Sequence, residues 1–135
     1  MNPLLRNVLA VLAGVLIGGL INSGIIGISG QIIPPPEGAD LTTEEGLKAA
    51  MPLMQPKHFL MPFLAHALGT LLGAWIAVRI TRKAAPAYAV GMLFLIAGAM
   101  MVAMLPAPMW FNITDLVLAY LPMAWLATLG LKRSQ

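Results

Sequence analysis

The chain has 135 residues, 59% of them hydrophobic and 10% charged, with a mean hydropathy of +0.86; soluble domains carry roughly 25% charged residues, so this composition belongs in a lipid bilayer. The formal net charge is +3, but the basic residues are scattered at the ends of apolar runs and build no patch, which excludes nucleic acid as a partner. Cysteine is absent, and with it disulfides, thiolate metal sites, iron–sulfur clusters and cysteine nucleophiles.

After a short MNPLLRN start, Val8 to Ser29 is a run of 22 residues without a formal charge. A secretory signal has a shorter apolar region of about 7–15 residues and an A-x-A-like cleavage site that is missing here, so the run reads as a retained first span over 8–29. Within it Ala10, Gly14, Gly18 and Asn22 recur every four residues, a stripe of small side chains on one helical face. From 30 to 57 the character turns aqueous: Pro34, Pro35 and Pro36 impose an extended segment, Glu37-Gly38 makes a turn, and Asp40, Glu44 and Glu45 outnumber Lys48 and Lys57. Thr42 followed by Glu45 matches a capping box, and Leu47, Ala50, Met51 and Met54 form an apolar stripe. A short amphipathic helix on the membrane surface or the bundle mouth is expected there, limited by Pro52.

The second span, Phe59 to Val78, is twenty residues without a formal charge and holds one histidine, His66. At helical rise it is about 30 Å long, which matches the bilayer core. Ala65, Gly69, Gly73 and Ala77 repeat the small-residue stripe, so spans one and two should pack closely, with His66, Thr70 and Ala74 on the adjacent stripe. A third span covers 84–105, closed by Pro106-Ala107-Pro108, and a fourth covers 110–131, apolar except for Asp115 and kinked by Pro122.

Four spans put Arg6, the Arg79/Arg82/Lys83 cluster and Lys132/Arg133 on one side and the acidic first loop on the other, so both termini are expected in the cytoplasm. Asn22 then lies seven residues before Ser29, His66 seven after Phe59, and Asp115 five after Trp110. All three sit about 8–11 Å below the outer surface. An ionisable residue at such a depth faces the bundle interior and seeks a partner, and His66 with Asp115 is the natural pair. Asn22, Thr70 and Tyr120 complete the candidate polar pocket, with Ser23 a further member of the layer. The functional reading is a proton, ion or ligand site open to the outer side; the structural reading is an interhelical hydrogen bond worth about 0.6 kcal/mol.

The chain has ten methionines, and Met51, Met54, His58 and Met61 cluster near the outer mouth, with Met100 and Met104 at the outer end of span three. Thioether and imidazole ligands suit Cu(I), but methionine also fills irregular apolar gaps. Met100-x-x-x-Met104 with Gly69-x-x-x-Gly73 is loosely similar to copper-uptake trimers, from which this chain departs in having four spans instead of three. Neither a nucleophile elbow, nor a zinc-protease motif, nor a phosphate loop is present, so an enzyme is disfavoured and no cofactor is called for. Asn112-Ile113-Thr114 matches a glycosylation sequon but reads as the polar start of span four.

The segments IIPPPEGAD, PKHF, PFLAHALGTLLGA and PAPMWFNITD resemble a group of small bacterial membrane proteins along the length of the chain, a group without an assigned activity. The resemblance implies a four-span protein of the inner membrane and transfers no catalytic residue. The expectation is therefore an all-α membrane protein, a four-transmembrane-helix bundle with a short amphipathic helix in its first extracytoplasmic loop. Two functions compete: a carrier or channel-like subunit with an outward-facing polar pocket, or a structural or regulatory protein acting through helix packing and oligomerisation, with copper handling a third. The partners to expect are the bilayer and a second copy or another membrane protein; the helix-packing glycine faces at Gly14, Gly18, Gly69 and Gly73 serve either packing within one chain or dimerisation, two uses that sequence does not separate.

Overall fold

The computed structural model describes residues 1–133, and among them it contains helices and no strands. Helix α1, Pro3–Ile32, is capped by Asn2, whose side chain accepts from the Leu4 N–H at 2.8 Å. It is longer than the expected 8–29, because nothing in the sequence breaks it until Pro34 forces Ile33 into an extended conformation. The loop then turns at Gly38, whose φ of +77° accommodates the bend, with Ala39 N–H donating to the Pro36 carbonyl at 3.1 Å.

Helix α2, Glu44–Ala50, begins one residue later than the capping box places it. Thr43 is the cap and accepts from Gly46 N–H at 3.0 Å, because the Thr42 hydroxyl is taken by Asp40 at 2.6 Å. Pro52 ends α2 in a 3-10 turn at Met51–Leu53, and a second 3-10 turn at Pro56–Phe59 leads into α3, Leu60–Thr81. Helix α3 stops at Arg82, left-handed at φ 57°, and buried Thr81 closes the turn by donating to the Ala77 carbonyl at 2.8 Å. Helix α4 is Ala85–Met104, and after Pro106 and Pro108 the last span follows as two pieces, α5 (Met109–Leu118) and α6 (Leu121–Thr128).

Among the described residues, four segments are long and apolar enough to cross a membrane: Pro3–Ile32, Pro56–Thr81, Ala85–Met104 and Met109–Leu131. Their packing inverts that of a water-soluble bundle. The interior is built from Ala10, Ala65, Ala74, Ala77, Ala87 and Ala124, with Val90 and Thr70 as the largest fully buried side chains, while the leucines of α1 point outward. That is how helices associate where the surroundings are as apolar as leucine itself: small residues let backbones meet.

The closest meeting is between α1 and α3. A Cβ at Gly14 would lie 2.5 Å from the Gly73 carbonyl oxygen, and one at Gly18 would lie 2.5 Å from that of Gly69. The two glycine pairs thus face each other within one chain, running antiparallel. Ala10, Gly14 and Gly18 are the buried residues of α1, the stripe read from the spacing.

Candidate functional site

The α1–α3 contact holds the helices together over the half nearer the termini; towards the 33–59 loop they enclose a cavity. Its volume is about 810 Å³, within the usual range of ligand pockets. Its walls come from every helix of the bundle but α6: Asn22 and Ile26 of α1, Leu47 of α2, Met61 and His66 of α3, Met101 of α4 and Phe111 of α5 are examples. Phe59 locks the α3 and α5 ends at equal height through Phe111 and Trp110, with ring centroids 4.7 and 5.6 Å away.

Equal height at the helix ends carries inward to His66 and Asp115. His66 Nδ1 is 2.8 Å from Asp115 Oδ1, and the Tyr120 hydroxyl donates to Asp115 Oδ2 at 2.9 Å. The tyrosine ring also stacks on the imidazole at 5.9 Å between centroids. Asp115 is only 4% exposed, whereas the His66 side chain keeps 26% of its surface open. A carboxylate bonded to Nδ1 fixes the tautomer and leaves Nε2 as the ring's free acceptor. Among the described residues Nε2 makes no hydrogen bond.

Tyr120 reaches Asp115 because the last span breaks between its two pieces. Positions five apart diverge by about 140° around an unbroken helix. Here Tyr120 has φ −119° and ψ −82°, just ahead of Pro122, whose missing N–H and ring forbid a regular turn against Leu118. Gly98 of α4 leaves the room: a Cβ there would strike the Tyr120 hydroxyl.

The other residues singled out by sequence separate. Asn22 lines the cavity, and its Oδ1 is buried without a partner among the described residues. Thr70 is 1% exposed and its hydroxyl is likewise unpartnered, but it lies outside the cavity wall; Ser23 is exposed. Met51, Met54, Met61 and His58 line the cavity, while Met100 and Met104 face away from the protein and Met101 takes the place on the wall. Both His58 nitrogens are used by the backbone: Nδ1 accepts from Gln55 N–H at 2.8 Å, which puts the proton on Nε2, 3.0 Å from the Pro34 carbonyl. This imidazole latches the loop to the start of α3 and is not free to ligate a metal.

Four polar residues of the wall escaped the sequence reading: Ser29, Asp40, Thr42 and Asn112. Asn112 stands three residues before Asp115, on the same helical face, and that spacing was the available signal. Its amide donates to the Ala107 carbonyl at 3.3 Å. Asp40 and Thr42 come from the loop; the Thr42 hydroxyl first, and its N–H second, hold the Asp40 carboxyl below its ordinary range. Only the chain's folding back could bring them over the cavity. Comparison with protein-family models, curated proteins and solved structures finds no match for this chain.

Proposed function

We propose that this protein is a multi-pass component of the bacterial inner membrane, with both termini cytoplasmic, that receives a small amphiphilic ligand from the outer side as a carrier or ligand-binding subunit. One observation carries the reading: an imidazole with a free Nε2, oriented by a buried carboxylate, stands in the wall of a cavity of about 810 Å³. An interhelical bond serving register alone needs no such space. The short helix α2 rests its Leu47 side on the mouth and acts as the cover.

Native mass spectrometry of protein extracted from membranes tests this. The wild type retains a small bound molecule, and His66→Ala and Asp115→Asn lose it while keeping their helical content. If the variants lower only the melting temperature in detergent and leave the bound species unchanged, the pair is a packing element and the ligand reading fails.

A further inference from the structure

The charge of the cavity narrows what it can hold, and this inference rests on the reading of the cavity as a ligand site. The ionisable side chains of its wall are Asp40, His58, His66 and Asp115; among the described residues no lysine or arginine lines it. His58 is neutral in its double bond to the backbone. The groups in contact with His66 are Asp115 and Tyr120; uncharged Asn22 and Ser29 of α1, Gly98 and Met101 of α4, and Asp40 of the loop line the same cavity.

Counting protons at the pair gives two states. One proton lies in the bond between His66 Nδ1 and Asp115 Oδ1, and with that alone the pair carries a single negative charge. A second proton, taken at the His66–Asp115 pair from the cavity side, makes it neutral. A buried, uncompensated negative charge in apolar surroundings is unfavourable, so the pair either holds its second proton or faces a cation. Anions meet repulsion from Asp40 and, once the pair has lost its second proton, from Asp115 as well. Among the described residues no group of three or more His, Cys, Asp or Glu side chains is placed to hold a metal ion, so a compact divalent cation finds no cage. The wall instead offers the apolar surface of Ile26, Ile33, Val102, Leu105 and Phe111, suited to the hydrocarbon part of an organic cation.

We propose that the cavity binds a lipophilic organic cation in exchange for the second proton of the His66–Asp115 pair. Proton and cation compete, so affinity rises with pH and levels off once the pair has lost its second proton. Asp40 at the mouth adds attraction.

Calorimetric binding of tetraphenylphosphonium to the full chain in nanodiscs, across about pH 5 to 8, tests this. Affinity should rise up to about tenfold per pH unit on the acid side, with about one proton released per cation bound, as read from buffers of different ionisation heat. Neutral triphenylphosphine oxide should bind more weakly and without pH dependence. Asp115→Asn should lose the preference for the cation, and Asp115→Glu, which keeps the charge, should retain it; the wild-type pH profile stands even where a variant misfolds. Equal binding of the two probes, or a flat pH profile, overturns the exchange while leaving the cavity a ligand site. If neither probe binds folded protein, exchange and ligand site both fall.

Discussion

The hydrogen-bonded chain from His66 through Asp115 to Tyr120 depends on a residue that takes no part in it. Gly98 makes none of its hydrogen bonds, yet a methyl group there collides with the Tyr120 hydroxyl. Gly98→Ala should therefore mimic Tyr120→Phe: each removes the donor from Asp115 Oδ2 and lowers stability by about 1 kcal/mol, between the average membrane hydrogen bond and one to a charged group in water. Reversible unfolding in mixed micelles measures both, and the double variant should add little to either. The His66–Asp115 contact was legible because helical rise puts the two at one depth. The Tyr120 contact was legible only as membership of a layer, since a regular helix turns the two residues apart.

Among the elements, the α1–α3 pair is the rigid part and the broken last span the irregular one. Gly18 and Gly19 are neighbours in sequence with opposite surroundings: a Cβ on Gly18 meets the Gly69 carbonyl, whereas one on Gly19 meets nothing within 4 Å. Gly18→Ala should thus cost about 1–3 kcal/mol through forced separation of the helices. Gly19→Ala should be neutral or stabilising by up to about 1 kcal/mol, since alanine loses less backbone freedom. Thermal unfolding of the two variants side by side checks the contrast. A four-residue period identified the stripes but left open whether they meet within one chain or between two; their mutual contact shows that they are used internally. An oligomer would have to use another face.

At the scale of the molecule, the four long helical segments return the chain to the end where it began: Leu131 packs against the cluster that contains Ala10 and Ala87. Reporter fusions at the two termini should give the same cytoplasmic signal, and one inserted after Gly38 the opposite; termini on opposite sides would undo the proposed topology. The loop end differs from that end in packing density. Where α1 and α3 are joined by glycines the two backbones meet, and beyond Gly18 the cavity is lined by Asn22, Ile26 and Ser29 of α1, by Pro35 of the loop and by His66.

Hydrophobicity and spacing along the chain were enough to determine the four long apolar segments, their small-residue faces and the shared depth of His66 and Asp115, because helical period and rise are local properties of the backbone. The break at Tyr120, the clearance at Gly98, the cap at Thr43 instead of Thr42, and the cavity that gathers Asp40, Asn22 and Asn112 were decided by tertiary structure. Each of these depends on which atoms of distant segments compete for the same space or the same hydrogen bond, and no local period encodes that competition.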